Sequence, residues 1–214
     1  MLFLPAMAEV RVEFERIAKR FGSRTVLTQL SGTLEPRRVV VVAGPNGSGK
    51  STLLNILAGV LRPSRGTVVY RSGDTELPRA SWLERLGVAA PDMAVYEELT
   101  ALENLAFFAR VRGLHASADQ HADLLEELGL PAREHRRTVG TFSSGMKQRV
   151  KLAQAVLHRP DVLLLDEPSS HLDEAGHRVV AALVERFRAR AAVAVASNDP
   201  REIAWGDARI ELAL

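Results

Sequence analysis

The chain has 214 residues, 46% hydrophobic and 25% charged, a balance that excludes a disordered tail, a collagen-like chain and a polytopic membrane protein. It contains no cysteine, which rules out a disulfide scaffold, a thiolate metal site and a cysteine nucleophile. With 28 basic against 26 acidic residues the net charge is only +2, so no nucleic-acid partner is expected.

No apolar run approaches the roughly 18 residues needed to cross a bilayer. The length fits one large domain, or a domain with an inserted lobe. Met1 to Ala8 is apolar but lacks the basic leader and the length of a signal peptide. Met7 offers a second start, and the first element of the fold is expected after it.

Val10, Val12 and Phe14 alternate with Arg11, Glu13 and Glu15, the period of a half-exposed strand. A second strand is expected over Val26 to Leu34, after a Gly22-Ser23 turn. Val39 to Ala43 is apolar at every position, as a strand buried on both faces of a parallel sheet requires. Gly44-Pro45-Asn46-Gly47-Ser48-Gly49-Lys50-Ser51-Thr52 follows, then the helical pattern Leu53, Leu54, Ile56, Leu57. Gly66 to Tyr70 reads as an edge strand, Arg71-Ser72-Gly73-Asp74 as its turn, and Leu86 to Ala90 as another strand. Leu99 to Leu130 is helical in pattern, with a second helix over Ala118 to Leu128. Val162 to Leu165 is again wholly apolar and ends in Asp166-Glu167. A helix between Glu174 and Ala191, a strand over Ala192 to Ala196 and a last strand over Arg209 to Leu212 complete the chain. The order predicts an α/β core interrupted by an all-helical lobe: one domain over 8–214, with the antiparallel β part and first core segment in 8–91, the helical lobe in 92–142 and the rest of the core in 143–214.

Gly44 to Ser51 matches G-x-x-x-x-G-K-[ST], a pattern that chance produces in about one chain of this length in a hundred. A buried strand before it and a helix after it supply the context of a phosphate loop. A plain glycine-rich helix cap would explain the glycines but not Lys50 at a helix start, where the dipole disfavours a cation. A bound anion would explain both. Gly44, Gly47 and Gly49 allow N–H groups to point inward at phosphate oxygens. Lys50 then bridges the terminal phosphates and the Ser51 hydroxyl suits Mg²⁺. Asp166 ends a buried strand, where its carboxylate can hold the Mg²⁺ water shell beside Ser51, and Glu167 can take a proton from an attacking water.

Ser143 and the Gly145 amide stand at the start of a helix expected over Met146 to His158, a second anion-binding terminus or simply a serine cap. Thr141-Phe142-Ser143-Ser144-Gly145-Met146-Lys147-Gln148-Arg149 resembles the signature of ATP-binding-cassette (ABC) ATPases, a Leu-Ser-Gly-Gly-Gln type sequence followed by a basic-Gln-Arg run. Ser143, Gly145, Gln148 and Arg149 agree, while Ser144 replaces the first glycine and Met146 the glutamine. Ser169-Ser170-His171-Leu172-Asp173 is similar to the family's D-loop, and Leu99-Thr100 with Glu103-Asn104-Leu105 to the start of its helical lobe. Phe21, 23 residues before Gly44, sits where the family places an aromatic that stacks on adenine; by itself it reads as a core residue.

The resemblance runs from Val10 to Leu212 and implies a P-loop NTPase (RecA-like) core with an N-terminal antiparallel β subdomain and an inserted α-helical subdomain. It further implies ATP with Mg²⁺, a homodimer in which Ser143 and Gly145 face the γ-phosphate held by the other copy, and a separate membrane permease. The chain would then be cytoplasmic and peripheral on the inner face of the cell membrane. The signature and the Thr100 to Asn104 stretch look like compact exporter ATPases, such as the haem-exporter ATPase of cytochrome c maturation. Alternatives are a soluble ABC ATPase, for instance in iron–sulfur assembly, and a cassette that binds ATP as a slow switch.

Two departures bear on turnover. Where the family has a glutamine after the strand Leu86 to Ala90, this chain has Pro91, with Asp92 next. Where it has a switch histidine, Ser197-Asn198-Asp199 stands. Asn198 can donate a hydrogen bond to the γ-phosphate but carries no charge, a loss of about 2 to 4 kcal/mol in the transition state. Slow but real hydrolysis is expected.

Overall fold

The computed structural model describes residues 9–213, so the Met1 to Ala8 segment and the second start at Met7 lie outside the described residues. In chain order the elements are β1 (Val10–Phe21), β2 (Arg24–Leu34), β3 (Arg38–Ala43), α1 (Lys50–Leu57), β4 (Arg65–Ser72), β5 (Thr75–Glu76), α2 (Arg79–Leu83) and β6 (Leu86–Ala89). Then come α3 (Ala101–Val111), α4 (Ala118–Glu127), α5 (Ser144–Val156), β7 (Val162–Asp166), α6 (Glu174–Arg188), β8 (Ala192–Ser197), α7 (Pro200–Ile203) and β9 (Ala208–Glu211). The strands form an antiparallel sheet in the order β2-β1-β4-β5 and a parallel sheet in the order β6-β7-β8-β3-β9. This is the expected α/β architecture.

The apolar runs explain why the parallel sheet is central. Every residue of β7 and β8 is buried, as are Val39 to Ala43 of β3. Because side chains alternate between faces, these strands feed two cores. Val39, Val41, Leu163, Leu165, Val193 and Val195 pack with the buried faces of α3, α4, α5 and α6. Val40, Val42, Val162, Leu164, Ala192 and Ala194 pack with α1 and the antiparallel sheet. The strand ends that carry the glycine loop and Asp166 are therefore fixed from both sides.

Several boundaries differ from the sequence reading. β1 is longer than its alternation suggests, because its pairing with β2 shifts register between Phe14 and Ile17 and again before Arg20. Such bulges break the two-residue period, and Ile17 returns to the core out of phase. β4 is no edge strand along its whole length: β5 pairs with Arg71 and Ser72, and the turn shrinks to Gly73-Asp74. The second helix expected within the stretch from Leu99 is present as α4, ending one residue early and set off from α3 by a break at Gly113 (φ 66°). Each is opened by a capping box, Thr100 with Glu103 and Ser117 with Gln120. α5 starts at Ser144 rather than Met146 and stops two residues before His158. The last strand is Ala208–Glu211, one residue earlier than expected.

Candidate functional site

The phosphate loop joins β3 to α1, and its shape depends on glycine at two close approaches. A Cβ on Gly44 (φ 155°) would lie 2.4 Å from the Leu212 carbonyl oxygen and 2.7 Å from Ser48 Oγ. One on Gly49 (φ 101°), the N-cap of α1, would meet Leu27 and Val26 of β2 at 2.8 and 2.9 Å. The loop is thus pressed between β9 and β2 with no space for a side chain.

Two features of this loop ask for an anion. Helix α1 has no side-chain cap and no acidic residue in its first turn, so its N-terminal amides and partial positive charge are left to a ligand. The buried Lys50 turns its ammonium back onto the loop, donating to the carbonyl oxygens of Gly44 (2.9 Å) and Pro45 (3.1 Å). Ser48 Oγ is buried with no partner. Ser51 and Thr52 follow on the first turn of α1, Ser51 exposed to solvent.

Asp166 closes β7 next to this loop. Burial pushes its carboxyl above the usual carboxylate range; the Ser51 hydroxyl and Lys50 pull it down, while Glu167 and Asp92 push it up. Its Oδ1 is buried without a hydrogen-bond partner. A desolvated carboxylate with an orphaned oxygen, beside a serine hydroxyl, fits a hard divalent cation. Ser51 and Asp166 are the residues that would hold Mg²⁺.

Glu167 comes next, in the left-handed region at φ 47°, which costs a non-glycine residue free energy and persists only where neighbours impose it. Its N–H donates to Ala196 O (2.9 Å) on β8 and its carbonyl accepts from Ser170 N (3.0 Å). Asn198, just past β8, donates from Nδ2 to Asn46 Oδ1 at 2.9 Å, tying its loop to the phosphate loop.

Other residues singled out in the sequence have different partners. Ser143 caps α5, its Oγ accepting from Met146 N at 3.3 Å. A Cβ on Gly145 would come within 2.8 Å of the His171 carbonyl oxygen, so the helix start packs directly on the Ser169 to Asp173 loop. Among the described residues, no hydrogen bond joins Ser143 or Gly145 to the phosphate loop of the same chain. Gln148 donates to Pro168 O (3.0 Å), and Arg149 reaches Leu128 O (2.9 Å) and Asp173 (3.5 Å). Phe21 ends β1 half-exposed, with Lys19 Nζ 4.9 Å from its ring centroid, so it is not a core residue. Pro91 offers only its carbonyl, which accepts from Lys151 Nζ at 2.5 Å. Sequence reasoning missed Glu202: almost fully buried on α7, it accepts from Ser169 N at 2.9 Å. Its spacing carries no motif, and a glutamate in a short helix reads as surface.

The family model described as ABC transporter matches residues 27–170, a span from β2 through the phosphate loop, the α5 terminus and Asp166-Glu167. The chain belongs to the ABC transporter family. It is 40% identical over 174 residues to the uncharacterized ABC transporter ATP-binding protein YdbJ of Bacillus subtilis, covering 79% of this chain and 54% of that protein. It is 35% identical over 182 residues to the Fe(3+) ions import ATP-binding protein FbpC of Brucella suis, covering 84% of this chain and 51% of that protein. The chain thus spans about half the length of these relatives. In fold it is similar to a bacterial ABC transporter cassette solved as a dimer, with a TM-score of 0.85, 23% identity and 94% of each chain covered. The same cassette has been solved dimeric with ADP and Pi. The chain therefore carries the ABC cassette fold.

Proposed function

We propose that this chain is the ATP-binding and ATP-hydrolysing subunit of an ABC transporter, closing head-to-tail on a second copy to drive a separate membrane permease. The observation that carries the reading is the convergence of an anion-seeking loop and an orphaned, desolvated Asp166 carboxylate at adjoining ends of the parallel sheet. The loop amides and Lys50 bind the triphosphate. When bound, Mg²⁺ supplies positive charge against the phosphate oxygens. Glu167 accepts the proton of the attacking water, and Asn198 donates to the terminal phosphate once its amide leaves Asn46. Phe21, half-exposed at the end of β1 with Lys19 near its ring, stacks on the adenine. The exposed N-terminus of α5, with Ser143 and Gly145, has no acidic residue in its first turn and is directed to the phosphate bound by the partner copy.

No helix among the described residues is long and apolar enough to cross a membrane, and the proposal assigns that crossing to the permease, holding this chain peripherally on the cytoplasmic side. Tyr96, Phe107 and Phe108 form an aromatic cluster where the helical lobe begins, with Tyr96 and Phe107 exposed. Next to it a groove of about 390 Å³ runs between the Pro91 to Glu97 segment and Lys147 and Lys151 of α5. This is the face proposed to receive the permease. Export is kept as the direction on the Ser143 to Met146 signature and the Thr100 to Asn104 stretch.

Glu167→Gln keeps the shape of the site and removes the proton acceptor. With saturating MgATP this variant should bind nucleotide and move from monomer to dimer on size exclusion, while the wild-type chain turns ATP over. A variant that takes up no nucleotide, or that binds it and stays monomeric, would overturn the proposal.

A further inference from the structure

The loop after β7 holds its geometry against its own backbone preference. Glu167 sits at φ 47° and His171 at φ 63°, and neither is glycine. Conformations of this kind survive where surrounding groups over-determine them. Ala196 O takes the Glu167 N–H, and Gln148 Nε2 donates to Pro168 O. The next backbone donor, Ser169 N–H, is taken by Glu202 Oε1 at 2.9 Å. The Ser169 hydroxyl is buried and has no partner, so the residue is anchored through its amide.

Glu202 is a costly way to satisfy one amide. It is 2% exposed, and a carboxylate taken out of water needs compensation. Its sequence neighbour Arg201 pairs instead with Asp199 and Glu174. Among the described residues Glu202 makes no ion pair. An acceptor of that strength suits a loop whose position must be held tightly.

Its place in the chain adds a second consequence. Pro200 occupies the first turn of α7, and Asp199 caps it through Arg201 N. Asn198, which touches the phosphate loop, and Glu202, which holds the catalytic loop, are thus borne by one short preorganised turn.

We infer that Glu202 is a positioning residue that fixes the Glu167 to Ser169 loop through the Ser169 amide, and so sets where the Glu167 carboxylate stands. The inference rests on the hydrolytic role of Glu167 proposed above. Glu202→Gln keeps an acceptor oxygen at the same reach; Glu202→Met keeps the volume and removes it. Misplacing a catalytic group by an ångström costs about 100-fold, so the methionine variant should lose about 10- to 100-fold in kcat with an unchanged KM for ATP. The glutamine variant should stay within about threefold of wild type on the same scale.

Hydrogen–deuterium exchange provides the activity-independent arm. The Ser169 amide should lose protection in Glu202→Met and keep it in Glu202→Gln. Unchanged exchange at Ser169, or a methionine variant with wild-type kcat, would overturn the inference. So would a parallel loss of kcat, ATP affinity and melting temperature, which marks a merely structural role. If the wild-type chain turned over no ATP, the hydrolytic reading would fall, while exchange at Ser169 would still decide whether Glu202 holds the loop.

Discussion

Asn198 is the residue at which this chain departs most sharply from the chemistry its neighbours set up. Its amide donates to Asn46 on the phosphate loop, and the proposed function gives it the task of sensing the terminal phosphate, yet it has no charge to offer. A histidine at this position could carry a proton and strengthen its hydrogen bond as negative charge develops. Asn198→His should therefore turn over ATP at least as fast as wild type at saturating MgATP. It should also add a limb to the pH–rate profile near the imidazole range, about pH 6 to 7. A large drop in kcat, or a pH profile identical to wild type, would remove Asn198 from the hydrolytic role given to it.

Among the elements, β3 and β7 are the ones the sequence announces most clearly, and the site hangs on them. A run such as Val39 to Ala43 or Val162 to Leu165 has one stable placement, sandwiched between two apolar layers, and the motifs at its end inherit a fixed position. The bulged half of β1 was not legible, because Ile17 reaches the core only after the register slips. Nor were α2 and α7, which at five and four residues are too short to show a helical period. The Glu202 to Ser169 contact spans 33 residues and depends on where a four-residue helix docks. Local pattern has no access to that.

The end of α5 carries a testable consequence of packing at this scale. His158 donates from Nε2 to Leu86 O on β6, an oxygen that Arg112 at the end of α3 also reaches. Burial first, then the positive charges of Arg112 and Arg190, push its pKa down from 6.5 to about 4, against the opposing pull of the Leu86 carbonyl. The folded chain therefore resists protonation that the unfolded chain accepts. Stability is complete above pH 6.5 and is lost as the pH falls from 6.5 towards 4, by up to about 3 kcal/mol. Denaturant titrations across this range should show a flatter dependence for His158→Gln, which keeps a donor and cannot titrate. Parallel curves for the two proteins would contradict the assignment.

At the scale of the whole molecule, the proposed function makes the site in one chain half of a site. The α1 terminus gathers the phosphate loop, Asp166 and Asn198 within one copy, whereas the α5 terminus, equally lacking acidic residues, makes no hydrogen bond to that loop. In the head-to-tail dimer proposed above, each α5 terminus would meet the other copy's loop and supply what is missing. Lys50→Ala removes the cation proposed to bind the phosphates. Gly145→Asp places a carboxylate at the α5 terminus and drives its Cβ against the His171 carbonyl. Each variant alone carries its defect in both composite sites and should be inactive. Mixed in equal amounts, half the dimers are mixed and each contains one site with both halves intact, so activity should recover to about a quarter of wild type. The two defects fall together in the opposite site of the same dimer, which therefore contributes nothing. If Gly145→Asp alone kept wild-type activity, hydrolysis would be completed within a single copy and the α5 terminus would be a serine-capped helix with no part in the chemistry. An inactive mixture of folded, subunit-exchanging variants would overturn the shared site.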